Sequence, residues 1–243
     1  MVKVNLMIVG TTRDANATRA TRVVASTLGI LVGVFGMEHG FFEILQGNAV
    51  PTEAPLGLEV DALGFGFIID AIGPAHEFWP GASEPAFTII PSFFITGVLA
   101  MIVGMLVMIW SVAFIDKKYG ARIFFLLCMV LFLVGGGSPP LTNGVIASLV
   151  ATRINRPLTW WRTRVSKERR QTIARFWPWS IICSVLLSLL GVEIAIFGFP
   201  LSWFLNLDLM TILLLGIGNF ITIIVILTVI TAFMYDIQQS KES

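Results

Sequence analysis

Charged side chains are scarce in this chain, and their scarcity limits the classes of protein it can belong to. Only 13% of the 243 residues are Asp, Glu, Lys or Arg, whereas a soluble domain has about 25%. Hydrophobic residues make up 56% of the chain, and the mean hydropathy is +0.87. This balance excludes an ordinary soluble domain and predicts a membrane protein.

Cysteine and histidine are scarce too, with two of each. Cys128 and Cys183 lie in different apolar segments without a CxxC partner, so neither a disulfide framework nor a thiolate metal site is expected. Because the chain has only two histidines, a haem ligated by two histidine side chains is not expected. No nucleophile–base constellation appears, and Gly135–Gly137 lacks the Lys-Ser/Thr of a phosphate-binding loop. The sequence therefore identifies no cofactor and favours a protein that is not an enzyme.

Long apolar stretches are what the chain does have. A membrane helix needs about 20 mostly apolar residues, and four stretches reach that length: Val23–Gln46, Pro91–Ile115, Trp179–Phe199 and Leu209–Phe233. A fifth, Ile123–Val150, is longer but is interrupted by glycine and proline. The pattern predicts an all-α polytopic helix bundle, with the first stretch as an uncleaved anchor.

The distribution of positive charge predicts the topology. No Lys or Arg occurs between Arg22 and Lys117, and the connection over residues 47–86 is acidic. Because cytoplasmic loops carry the Lys/Arg excess, we expect the N-terminus inside and this acidic loop outside. The loop contains an apolar part, Ala62–Ile72, and is expected to form short interfacial helices over the outer face. The basic loop over residues 153–175 combines Arg and Lys with tryptophan, which suits anionic lipid headgroups at a membrane surface better than nucleic acid.

The interrupted stretch decides the number of crossings. A single crossing would put the basic loop outside, whereas a turn at Gly135–Pro140 keeps all 16 basic residues inside. We therefore expect a short helical hairpin here, as two tilted spans or a re-entrant pair, and six membrane helices with both termini cytoplasmic. The expected organisation is a lead (residues 1–22), one membrane domain (23–235) and a tail (236–243) in the cell membrane.

Ionisable side chains interrupt the first apolar stretch. Such groups cost about 2.5–3.5 kcal/mol at membrane depth and usually mark a site. At about 100° per residue, His39, Glu43 and Gln46 share one helix face, while Glu38 points elsewhere. Glu193 lies at a matching depth on another stretch, so these residues are predicted to share a cavity beneath the acidic loop. Secondary candidates are His76 and Glu77 in that loop and Asn219 in the last stretch.

Small residues border this polar face and predict close helix packing. The first stretch contains two GxxxG patterns, and the second contains a stripe of small side chains: Gly29/Gly33 and Gly36/Gly40, then Thr96, Ala100 and Gly104. The polar face therefore points towards other helices rather than towards lipid.

Three functions fit this polar cluster. A histidine with carboxylates can relay protons or bind a cation, as in a small transporter or channel-like protein. It can also tie helices together inside a structural or regulatory subunit that docks a protein partner or a second copy. A membrane-embedded metal or haem enzyme using His39 is the third possibility.

Three motifs carry a resemblance: GMEHGFFEILQGN (36–48), SEPAFTIIPSFFITGVLA (83–100) and VGGGSPPL (134–141). Together they resemble a family of small prokaryotic integral membrane proteins that has no assigned activity. The resemblance covers residues 22–154 and implies a multi-pass membrane protein. Ser83 stands where that family usually has glycine before its Glu-Pro pair.

Overall fold

The computed structural model describes residues 18–48, 66–73, 75, 85–198 and 207–242. Within those residues the chain forms eight helices and one two-stranded sheet. In chain order they are α1 (Arg19–Leu45), β1 (Phe67–Asp70), β2 (Pro85–Thr88), α2 (Phe93–Ala113), α3 (Gly120–Leu133), α4 (Pro139–Ala151), α5 (Thr159–Arg164), α6 (Lys167–Ala174), α7 (Trp177–Phe197) and α8 (Leu207–Glu242).

Four helices are long and apolar enough to cross a membrane: α1, α2, the Trp177–Ile194 part of α7 and the Leu215–Ser240 part of α8. They correspond to the four uninterrupted apolar stretches. The predicted helical fold with four apolar helices of membrane-spanning length is thus confirmed.

Helix α1 is the centre of the bundle and packs against α2, α4, α7 and α8. Its contact with α2 is antiparallel and relies on two reciprocal glycine pairs, Gly33 with Gly104 and Gly40 with Gly97. An added Cβ at any of the four would meet the backbone carbonyl oxygen of its partner. The packing role predicted for these small residues is confirmed, because only hydrogen at Cα allows the two backbones to approach this closely.

The interrupted stretch forms a hairpin of two short helices. Helix α3 has 14 residues and α4 has 13, so each is about 20 Å long at 1.5 Å per residue. Gly135 and Gly137 adopt positive φ angles of 92° and 72°, which glycine accepts without strain. Pro139 then opens α4, and Gly144 packs against Cys128 of α3. The predicted turn is confirmed.

The acidic loop does not follow its prediction over the residues that are described. Short interfacial helices were expected there, but Phe67–Asp70 pairs antiparallel with Pro85–Thr88. Ile69 and Ala86 are paired across the two strands, and both are buried. Burial also alternates along β2, where Ala86 and Thr88 are buried and Pro85 is exposed, as expected for a strand whose successive side chains face opposite sides. We call this end of the bundle the hairpin end.

The opposite end, here the basic end, gathers the start of α1, the α2–α3 turn, the end of α4 and the end of α8. Arg22 forms an ion pair of 3.3 Å with Asp116, and the backbone N–H of Asn155 donates to the Thr18 hydroxyl at 3.1 Å. The segments that carry Lys and Arg in the described chain all lie at this end. The predicted basic loop forms the two short helices α5 and α6, both of which contact α8.

The predicted tail also needs correction, because α8 continues to Glu242 and Asp236 is buried in the bundle. Its carboxylate accepts hydrogen bonds from the backbone N–H groups of Ala20 and Thr21, both at 2.8 Å, and from the Thr21 hydroxyl at 2.6 Å. These are N–H groups that the first turn of a helix cannot satisfy internally. The last helix therefore caps the first.

Candidate functional site

Three segments of the sequence meet at the hairpin end: the last turns of α1, strand β2 and the turn between α3 and α4. The backbone N–H of Gly135 donates to the carbonyl oxygen of Phe87, and that of Ile89 donates to Leu133, both at 3.0 Å. These bonds satisfy backbone N–H and carbonyl groups that would otherwise lack hydrogen-bond partners where α3 ends. The turn is thereby held in place beside α1.

Two threonines reinforce this junction from inside. The Thr96 hydroxyl donates to the carbonyl oxygen of Val134 at 2.8 Å, and the Thr88 hydroxyl lies 2.6 Å from that of Thr96. Since Thr96 has a single hydroxyl proton, Thr88 must donate in the second bond. Both threonines are fully buried, so the network fixes the turn against α2 and β2.

His39 is fully buried and faces the turn. Its Nδ1 lies 2.7 Å from the carbonyl oxygen of Phe35, one turn earlier in α1. Because a carbonyl oxygen only accepts, Nδ1 carries the proton of this bond. The other ring nitrogen, Nε2, points at Gly137, where an added Cβ would overlap it. The imidazole is therefore oriented by its own helix and presented to the glycine turn.

Glu43 lies one turn beyond His39 and is also fully buried. Its carboxylate rests on Gly135, where an added Cβ would overlap both oxygens. Neither oxygen has a hydrogen-bond partner among the residues that the structure describes. The fold therefore keeps an acidic side chain out of solvent, and no protein group in the described part of the chain forms a hydrogen bond that would compensate its charge.

Gln46, the third residue of the predicted face, has a different role. Its side-chain amide donates to the backbone carbonyl oxygens of Asp70 and Ala71, at 3.1 and 2.8 Å. It also contacts Gly73, which has a positive φ of 74°. Gln46 thus holds the end of β1 against the end of α1, next to the His39–Glu43 pair but not within it.

Glu38 lies on the side of α1 that faces α7. It is partly buried and within electrostatic range both of Glu193, which is exposed on α7, and of His39 on its own helix. An edge-to-face contact between Phe42 and Phe197, with ring centroids 6.5 Å apart, joins the same two helices. The structure therefore divides the predicted cluster into a buried pair facing the glycine turn and a more exposed acidic pair between α1 and α7.

Of the secondary candidates, His76 and Glu77 lie outside the described residues. Asn219 does not join either pair, because it is exposed on α8 and its amide donates to the carbonyl oxygen of Leu215 in its own helix at 2.8 Å. Among the described residues, no group of three or more His, Cys, Asp or Glu side chains could hold a metal ion.

The sequence alone did not identify Phe87 and Thr88 as residues that hold the α3–α4 turn, or Asp236 as the residue that caps α1. Thr96 stood out only as a small residue in a packing stripe. One signal was present in two of the motifs behind the family resemblance. VGGGSPP contains Gly135 and Gly137, which contact Glu43 and His39, and EPAFT contains Phe87, whose carbonyl oxygen accepts a hydrogen bond from Gly135. Motifs of unusual composition far apart in a chain can mark segments that share one site.

Comparison with known proteins adds no further identification. No family model, no curated protein and no solved structure matches this chain.

Proposed function

We propose that this chain is a multi-pass protein of the cell membrane with six membrane helices and both termini in the cytoplasm. Four apolar helices of spanning length and the short α3–α4 hairpin support this count. The start of α1 and the end of α8 lie together at the basic end. An even number of crossings with Lys and Arg inside agrees with that arrangement.

We infer that the protein moves protons or a small cation through a site formed by Glu43 and His39. The observation that carries this inference is the buried Glu43 carboxylate, which rests on the Gly135 turn without a hydrogen-bond partner among the described residues. An uncompensated charge buried in a protein costs several kcal/mol. The carboxylate therefore needs a proton or a cation to occupy this position.

The surrounding backbone supports the same function. Helices α3 and α4 have 14 and 13 residues, fewer than the about 20 residues of a full-length membrane helix. Their junction is an irregular segment between two helix ends, and transporters build ion and substrate sites at such broken helices. His39 adds a second group that can exchange a proton, one turn away from Glu43.

The test is flux through the purified protein in liposomes. A pH-sensitive dye reports proton movement under an imposed membrane potential, and parallel samples carry gradients of Na⁺ or K⁺. Glu43→Gln keeps the shape of the side chain but cannot exchange a proton or hold a cation by charge. We expect it to reduce flux to the level of protein-free liposomes, and we expect His39→Ala to reduce it as well.

Glu38→Gln is the matched control, because it makes the same chemical change on the same helix but on the side that faces α7. It is expected to retain flux. If wild-type protein gives no flux above protein-free liposomes for any of these ions, the polar cluster joins helices in a structural or regulatory subunit instead. Equal loss in Glu38→Gln and Glu43→Gln would contradict the assignment to the buried pair.

A further inference from the structure

A groove at the basic end is not used by the proposed site. It has a volume of about 500 Å³ and lies between α4, α8 and the segment of residues 157–161. Its sides are apolar and include Leu149, Val229 and Phe233, while Arg153 lines it one turn beyond Leu149, towards the basic end. No Asp or Glu lines it among the described residues. The groove therefore combines a hydrophobic body with a cationic end.

We propose that this groove binds one acyl chain of an anionic phospholipid, with the headgroup phosphate at Arg153. The groove is accessible from the side of the bundle that would face lipid, since Leu149 is 63% exposed and Ile226 is 47% exposed. A guanidinium can hold phosphate oxygens in a bidentate arrangement. The apolar acyl chain would therefore lie against the apolar sides of the groove, and the anionic headgroup would lie against Arg153.

The level of the groove along the bundle supports a lipid over a soluble ligand. Trp160 lines it and is 59% exposed, next to Trp161, whose ring packs on Phe233 with centroids 5.9 Å apart. Exposed tryptophan is characteristic of the headgroup region of a bilayer. Arg153 lies at the end of α4 beside these rings, as expected for a cation that contacts a phosphate at the membrane surface.

The experiment is native mass spectrometry of the purified protein with phosphatidylglycerol and phosphatidylcholine that carry identical acyl chains. One Arg at an anionic membrane surface corresponds to about a fivefold change in affinity. We therefore expect about a fivefold preference for phosphatidylglycerol, lost in Arg153→Gln. Arg164→Gln removes an exposed arginine of α5 that does not line the groove, and it is expected to retain the preference.

A second pair of variants tests the apolar part. Leu149→Trp fills the groove from an exposed position and should lower the occupancy of both lipids. Leu126→Trp, at a site on α3 that is 60% exposed and outside the groove, should not. The proposal is overturned if the two lipids bind equally to wild type, if Arg153→Gln and Arg164→Gln have the same effect, or if Leu149→Trp leaves occupancy unchanged.

Discussion

Replacing Asp236 with alanine is expected to destabilise the bundle by about 3–5 kcal/mol. Asp236 is 1% exposed and accepts three hydrogen bonds of 2.6–2.8 Å from the first turn of α1. Hydrogen bonds to a charged group contribute about 1.5–3 kcal/mol each, although contributions within one cluster are not additive. Alanine would also leave two backbone N–H groups buried without an acceptor.

Two milder variants separate the contributions of these hydrogen bonds to stability. Asp236→Asn keeps one acceptor oxygen, so it should lose about half as much stability as Asp236→Ala. Thr21→Val removes only the hydroxyl donor and should cost about 1 kcal/mol. The expected order is therefore Asp236→Ala, then Asp236→Asn, then Thr21→Val, from the most to the least destabilising.

The assay is reversible unfolding of the protein from mixed micelles by sodium dodecyl sulfate, followed by tryptophan fluorescence. Gln239→Ala is the matched control, since Gln239 is exposed on the same helix and surface substitutions usually stay within about 0.5 kcal/mol. If Asp236→Ala unfolds at the same detergent fraction as Gln239→Ala, α8 does not cap α1 in the folded protein.

Two glycine predictions use the same assay. Gly40→Leu should lower the free energy of unfolding by about 1–3 kcal/mol through overpacking, because the leucine side chain would meet the backbone of α2. Val34→Leu is the control, at a position of α1 that is 38% exposed, and should leave stability unchanged. Equal stability of the two variants would refute the close packing. Gly135→Ala should destabilise the protein more than Gly47→Ala and should also abolish flux. Both glycines have positive φ, which costs alanine about 1–2 kcal/mol at either position. An added Cβ would meet Glu43 at Gly135, whereas at Gly47 it would meet nothing within 4 Å. Equal destabilisation by the two substitutions would contradict the Glu43 contact.

The long helices and the hairpin turn were predictable because both follow from local composition. Runs of about 20 apolar residues define the spans, and Gly135–Pro140 contains the residues that end a helix. The charge of the basic loop added a long-range constraint, since it required the chain to return before Arg153. These properties can be read without knowing which helices are neighbours.

The strand pairing could not be predicted in the same way. The run from Ala62 to Ile72 is apolar enough for an interfacial helix, and its period does not distinguish the two structures. Phe67–Asp70 becomes a strand because β2 is available to pair with it, and β2 is itself held by the backbone of Leu133 and Gly135. A tertiary contact thus decides the secondary structure here.

The composition of the candidate site also follows from this tertiary contact. Read separately, the glycine run predicts a turn and the Glu43–His39 pair predicts an interruption of an apolar helix. In the fold they depend on each other, because Gly135 and Gly137 leave the space that the carboxylate and the imidazole occupy. Any other residue at either position would bring a Cβ into contact with a polar side chain. The break in one apolar segment thereby makes room for ionisable groups in another, which is the arrangement on which the proposed site for protons or cations depends.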